Sequence, residues 1–205
     1  MVSFKESKTH ENLMRAFAGE SQARNRYTFA AGLAKQQNMY AVSEVFLFTA
    51  NQEKEHAEIF YNHLAELNGE TITVDGGYPV EVYKELDKLL EAAQHNEYEE
   101  WQNVYRSFAD TATEEGFSKI AASFNMIANI EKIHGDRFGT FLEYLKSNKL
   151  YVSDVKTGWI CLNCGYVHYA TEAPKICPVC SHDQGYFIRL ELAPYTDCKI
   201  APEQQ

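Results

Sequence analysis

Apolar residues recur at alternating steps of three and four along four long stretches of the chain, the periodicity of a helix that buries one stripe against its neighbours. The first stripe runs Leu13, Ala16, Glu20, Ala23, Tyr27, Ala30, Ala34, and the second Val42, Phe46, Thr49, Glu53, His56, Phe60, Leu64. The third runs Leu86, Leu90, Ala93, Glu97, Glu100, Val104, Phe108, and the fourth Phe117, Ile120, Phe124, Ile127, Glu131, His134, Phe138, Phe141, Leu145. Asn68-Gly69 stops the second helix, and Asp75-Gly76-Gly77-Tyr78-Pro79 supplies a long connection with a proline suited to opening the third. Residues 113–116 break the last two apart. The pattern predicts an all-α four-helix bundle of the up-down kind with a single crossover.

The helical period ends near Ser147. From Val152 to Tyr186 the chain carries Gly, Pro, aromatic residues and paired Cys, the make-up of a small β/loop module organised by metal. Residues 1–148 are therefore expected to form the bundle, and 149–205 the module with a C-terminal tail. The two halves of the bundle each carry one Glu-x-x-His, a hint of a duplicated helix pair.

The chemistry lies where the stripes are wrong. Glu20, Glu53, His56, Glu97, Glu100, Glu131 and His134 occupy positions where Leu or Phe belongs, and no Lys or Arg shares those stripes. An unpaired buried charge costs several kcal/mol, so five carboxylates would exceed the roughly 5–15 kcal/mol that holds a domain together. Two divalent cations reduce their formal charge of −5 to −1. Glu53 with His56 and Glu131 with His134 are i, i+3 pairs, which project from one side of a helix. Oxygen-rich ligation with one imidazole per metal suits iron or manganese better than zinc, and a Glu from each of two helices with Glu-x-x-His from the others is a known pattern for di-iron bundles. Tyr27 and Tyr105, within about two turns of these carboxylates, can donate hydrogen bonds to them. His10, His63, His95, His168 and His182 have no paired motif and are read as structural or exposed.

Cys161-x-x-Cys164 and Cys177-x-x-Cys180, twelve residues apart, offer four sulfurs to one ion. Zinc and iron both accept tetrahedral sulfur. Iron is favoured by the companion site, because an electron-accepting di-iron centre needs a one-electron donor. Cys198 stands outside the motif and is read as a free thiol.

Composition trims the alternatives. A formal net charge of −10 argues against a nucleic-acid partner, which would require clustered Lys and Arg. No apolar stretch is long enough to span a membrane and the first residues do not form a signal peptide, so a cytoplasmic protein is expected. There is no Gly-rich dinucleotide fingerprint, so no bound nicotinamide is expected, and no haem.

In Ala18-Gly19-Glu20-Ser21-Gln22-Ala23-Arg24-Asn25-Arg26-Tyr27, the two Glu-x-x-His pairs, Glu97-Tyr98-Glu99-Glu100, and Trp159-Ile160-Cys161-Leu162-Asn163-Cys164-Gly165-Tyr166-Val167-His168 with Cys177-Pro178-Val179-Cys180, the sequence closely resembles the rubrerythrins over essentially its whole length. That resemblance implies a ferritin-like di-iron bundle followed by a rubredoxin-like domain. It further implies that Glu53 and Glu131 bridge two irons, that Glu20 and Glu97 are terminal, that His134 binds the second iron, and that one iron exchanges Glu100 for His56 on reduction. Ser181 stands where rubredoxin usually has Gly, the spacer between the Cys pairs is short, and Gln94-His95-Asn96 replaces a more usual small residue before Glu97.

The resemblance implies a peroxidase of oxidative-stress defence: hydrogen peroxide is reduced to water, and the cysteine-bound iron returns electrons from an NAD(P)H-dependent reductase or rubredoxin. Iron storage and a metal or redox sensor with zinc in the cysteine site are the competing readings. From His134 to Lys146 is about 18 Å of helix, which predicts that electrons pass between chains of a head-to-tail homodimer or higher oligomer.

Overall fold

The structure, a computed structural model, describes residues 2–195. Cys198 lies outside the described residues. Five α-helices precede a small sheet: α1 Lys8–Gln36, α2 Tyr40–Asn62, α3 Leu86–Glu99, α4 Tyr105–Glu114 and α5 Ser118–Lys146. A π-helical turn over Glu100–Val104 joins α3 to α4 in one rod, so the bundle has four members.

Local chemistry sets the helix ends. Ser7 Oγ accepts the His10 amide at 3.2 Å, and Glu115, from the α4–α5 connection, accepts the Lys8 and Thr9 amides at 2.8 Å each. These orphan donors of the first turn are satisfied, and a carboxylate sits at the positive end of the helix dipole. Asn38 (φ 56°) and Asn148 (φ 57°) end α1 and α5 in the left-handed region, with Met39 N–H donating to Ala34 O at 2.9 Å and Lys149 N–H to Tyr144 O at 2.8 Å.

The third stripe needs correction. Its buried positions are Leu86, Leu90, Ala93 and Glu97, then Tyr105, Ala109 and Ala112. Val104 and Phe108, expected on the stripe, are only half-buried. The π turn inserts one residue into the helical period, so every later position moves by one. Pro79 does not open the third helix either. That helix starts at Leu86, and residues 73–83 cross the bundle without helix or strand structure.

Two glycines bring α3 and α5 together. A Cβ at Gly135 would lie 2.5 Å from the Tyr98 ring, and one at Gly139 2.1 Å from Gln94 Nε2. Glu97 lies between those two contacts in sequence, so the close approach carries it toward α5. Apolar side chains form two clusters along the bundle, one around Tyr27, Phe46, Leu90 and Phe138 and the other around Leu13, Phe60, Tyr105 and Phe124. The acidic layer lies between them.

Strands β1 (Val152–Cys161), β2 (Val167–Glu172) and β3 (Phe187–Arg189) form an antiparallel sheet in the order β2-β1-β3. Its core is Trp159, Cys161, Ala173, Cys177 and Phe187. The sheet docks on the bundle end where α1 turns into α2. Gly185 lies so close to Asn38 O that a Cβ would be 1.8 Å from it, and Tyr186 stacks on Tyr40 with centroids 3.9 Å apart. Buried Arg189 lies over the Tyr144 and Trp159 rings and donates to Lys149 O and Val152 O. Among the described residues, no helix is long and apolar enough to cross a membrane.

Candidate metal centres

Glu20 comes from α1, Glu53 and His56 from α2, Glu97 from α3, and Glu131 and His134 from α5; all six are buried. Donor atoms of Glu53, His56, Glu131 and His134 lie within 4.8 Å of one another. His134 Nδ1 is 2.8 Å from Glu53 Oε1 and 2.9 Å from Glu131 Oε2. His56 Nδ1 is 3.1 Å from Glu53 Oε2 and 3.0 Å from Glu131 Oε1. Each of these two carboxylates therefore offers one oxygen to each imidazole, the disposition of a bridge between two positions. The rings lie nearly parallel, 5.5 Å apart at an interplanar angle of 14°. Glu20 Oε1 is 3.8 Å from His56 Nδ1 and Glu97 Oε2 is 3.6 Å from His134 Nδ1, one flanking each side.

Both tyrosines singled out in the sequence reach carboxylates of the layer. Tyr105 O–H donates to Glu20 Oε1 at 2.5 Å, and Tyr27 O–H donates to Glu97 Oε1. Each phenol occupies one carboxylate oxygen and leaves the other, Glu20 Oε2 or Glu97 Oε2, without a hydrogen-bond partner. Glu53 Oε1, both oxygens of Glu131 and both ring nitrogens of His134, though as close as 2.8 Å to one another, likewise lack a well-directed hydrogen bond. Buried polar atoms are rarely left so, and here they converge on one layer. Carboxylate oxygens with two imidazoles are the donor chemistry of a dinuclear iron or manganese site.

The electrostatics carry the same strain. Burial pushes the Glu20 carboxyl well above its ordinary range, helped by Glu131 and Glu53, and pushes Glu97 up to about 8. Burial alone would lower both histidines, but the adjoining Glu131 and Glu53 carboxylates win and raise His56 to about 9 and His134 to about 12. Glu53, which burial alone would raise, is drawn down to about 2 by His134 and His56. Without cations the layer neutralises itself with protons.

Glu100 differs from the rest. It is half-buried, at the first position of the π turn, and burial with the fields of Glu97, Glu131 and Glu53 raises its proton affinity. Arg137 was not evident from sequence. It is half-buried, its Nη1 donates to Thr49 Oγ1 at 2.8 Å and Gln52 Oε1 at 2.9 Å, and it feels the charges of Glu53, Glu97 and Glu131. Its only sequence signal is its place one turn beyond His134. The other histidines stay apart: His63 Nε2 meets Ser123 Oγ at 2.9 Å, His10 Nδ1 meets Ser7 O at 2.6 Å, and His95 is exposed.

Cys161, Cys164, Cys177 and Cys180 also gather within 4.8 Å. The sulfurs of Cys161 and Cys180 are 3.7 Å apart, as are those of Cys164 and Cys177. A tetrahedron of that edge has its centre about 2.3 Å from each vertex, a metal–thiolate bond length, whereas a disulfide would bring two sulfurs to about 2.0 Å. Each Cys-x-x-Cys turn closes alike, with Gly165 N–H donating to Cys161 O at 2.8 Å and Ser181 N–H to Cys177 O at 2.9 Å. Both closing residues have positive φ, 78° at Gly165 and 61° at Ser181. The His182 amide draws the Cys180 thiol down to about 6, while burial pushes Cys161 up to about 12. Cys164 is exposed at the surface.

Comparison with known proteins gives two family matches, Rubrerythrin over residues 11–142 and Rubrerythrin, rubredoxin-like domain, over residues 159–188. Rubrerythrin-1 of Clostridium acetobutylicum is 45% identical over 188 residues, 91% of this chain and 96% of its own length. Rubrerythrin of Porphyromonas gingivalis is 43% identical over 90% of this chain and 91% of its own. Among solved structures, nigerythrin in a mixed-valence state aligns with a TM-score of 0.59 at 29% identity, over 92% of this chain and 91% of that one. Mycobacterium tuberculosis bacterioferritin aligns with a TM-score of 0.61 at 19% identity, over 69% of this chain and 87% of that one, a likeness of fold alone.

Proposed function

Because the chain belongs to the rubrerythrin family of oxidoreductases, we propose that it is a di-iron peroxidase that reduces hydrogen peroxide to water in oxidative-stress defence. The observation that carries this is the presence, in one chain, of a buried two-imidazole carboxylate layer and a four-sulfur cluster with an exposed edge. Storage of iron would require no such electron-donating partner site. Glu53 and Glu131 are assigned as bridges, Glu20 and Glu97 as terminal carboxylates, His56 and His134 as terminal imidazoles, and Glu100 as the additional carboxylate. Residues 1–148 would form the di-iron unit and 149–205 the mononuclear one, in a cytoplasmic protein.

Bound ferrous iron would supply two electrons, one from each ion, and Lewis acidity toward the peroxide oxygens. The protein's own groups supply the setting. Tyr27 and Tyr105 hold Glu97 and Glu20 by one oxygen each and fix the direction of the other. The two apolar clusters keep bulk water from the layer. Glu100, with its raised proton affinity, is placed to take up a proton whenever its carboxylate is released, and peroxide needs two protons to become two waters.

Electrons would enter at the cysteine cluster from rubredoxin or an NAD(P)H-dependent reductase. About 18 Å of α5 separates His134 from Lys146, and the sheet docks beyond that end, which supports transfer to the di-iron layer of another copy in a head-to-tail homodimer or larger assembly. The test is metal analysis followed by peroxide consumption with NADH and a reductase. Three irons per chain and donor-dependent turnover are expected; mineral iron accumulating under air without turnover would favour storage instead.

A further inference from the structure

The crossing segment between α2 and α3 bridges a cavity of about 270 Å³ whose wall includes Gly19, Gln22, Arg26, Tyr78, Glu100 and Tyr105. Of the seven carboxylate and histidine residues of the buried layer, Glu100 alone reaches this cavity, and Tyr105 is the phenol that holds Glu20. The segment is tied to α1 by Tyr78 O–H, which donates to Arg15 O at 3.2 Å, and by pairs that use Asp75 and Glu81. Arg15 Nη2 donates to Asp75 Oδ1 at 2.9 Å, while Glu81 receives Arg26 Nη1 at 2.5 Å and Asn96 Nδ2 at 2.8 Å. The Arg26 and Glu81 side chains are only 16% and 14% exposed, so this pair is shielded from solvent. Val80 and Val82, on either side of Glu81, are 86% and 81% exposed and hold nothing. The far end of the segment stays on the bundle through the shielded Glu81 pair, with Gln37 Nε2 donating to Lys84 O at 3.1 Å just beyond it.

We propose that this cavity is the path by which the small oxidant reaches the dinuclear layer, and that Glu81 is a positioning residue whose bonds to Arg26 and Asn96 limit what can pass. The proposal rests on the peroxidase reading for the identity of the oxidant, but the route itself is testable without it. A Cβ at Gly19 would meet Tyr78 Cε1 at an ordinary 3.9 Å, so a larger side chain there grows into the cavity. The probes are nitric oxide, a neutral ligand for the ferrous irons, mixed rapidly with the reduced holoprotein, and single-turnover oxidation by hydrogen peroxide against tert-butyl hydroperoxide. Gly19→Leu is expected to slow nitric oxide binding about tenfold with iron content and absorption spectrum unchanged, and Glu81→Ala to reduce the preference for the smaller hydroperoxide about fivefold. Glu81→Gln should restore that preference to within about twofold, and Asn25→Leu, on the opposite groove, should alter neither rate. An unchanged nitric oxide rate in iron-loaded Gly19→Leu overturns the route, and an unchanged preference in Glu81→Ala overturns the role of Glu81. If Gly19→Leu does not load iron, Gln22→Trp replaces it. Failure of peroxide to oxidise the parent centre counts against the peroxidase reading, while the nitric oxide rates still decide the route.

Discussion

The two metal-binding regions solve opposite problems. In the bundle the apolar clusters on either side of the acidic layer are large, α1 is capped by Ser7 and Glu115, and the helices pack without help from the ligands. Metal there relieves a penalty in a fold that stands already. In the C-terminal sheet the core is Trp159, Ala173, Phe187 and two of the cysteines themselves, too little apolar surface to order its loops. Metal there is a structural member. The same element is thus a cure for buried charge in one region and a substitute for a core in the other.

Metal removal should separate the two most sharply. Structural tetrathiolate sites contribute on the order of 10 kcal/mol to folding, so a strong chelator should unfold the sheet while far-UV circular dichroism of the helices persists. In a Trp101→Phe background, emission from Trp159, fully buried in the native sheet, should shift to the red. A native-like Trp159 signal without metal would erase the contrast.

Glu131→Leu sharpens it by breaking the layer with and without metal. Iron should fall from three to one per chain, with peroxide turnover lost, and the metal-free bundle should also lose about 3–5 kcal/mol, because His56 and His134 are left buried without one of their two carboxylate partners. Chemical denaturation of the metal-free variant checks this. Tyr105→Phe, which removes one hydrogen bond to Glu20, should weaken iron binding at the dinuclear layer about 10–100-fold and leave the cysteine site untouched. The smallest change belongs to the sheet: Ser181→Gly relieves a positive φ and should stabilise the reduced, metal-loaded module by about 1 kcal/mol, read as a higher midpoint in denaturant.

Most of this was written in the spacing of residues. The stripes through Leu13–Ala34 and Val42–Leu64 are buried at every position named, because a heptad-like period directly reports which side of a helix faces inward. Glu20, Glu53, His56, Glu97, Glu131 and His134 were visible as acids and imidazoles on those stripes, and the four cysteines as two tight turns. The π turn was not visible. Whether one helical turn takes up an extra residue depends on packing against α5 and α1, and nothing in Glu100–Val104 marks it locally. The late start of α3 was missed for a related reason. Pro79 can open a helix, but Glu81 is held by Arg26 and Asn96 from elsewhere in the fold, which ties the segment to the bundle before a helix begins. Arg137 was hidden because an arginine beside a stripe is ordinarily solvated.

The central claim is that cations make the acidic layer tolerable, and a pH series of bundle stability with and without iron tests it most directly. Glu97 is raised from about 4.5 to about 8, so the native state holds an extra proton between those values and loses that advantage as pH rises through them. His56, raised to about 9, contributes fully below about 6.5 and loses its contribution up to about 9. The metal-free bundle should therefore lose stability steadily from about pH 5 to 9, while the iron-loaded bundle, its charge already balanced, should change little over that window. Identical profiles for the two forms would contradict the account.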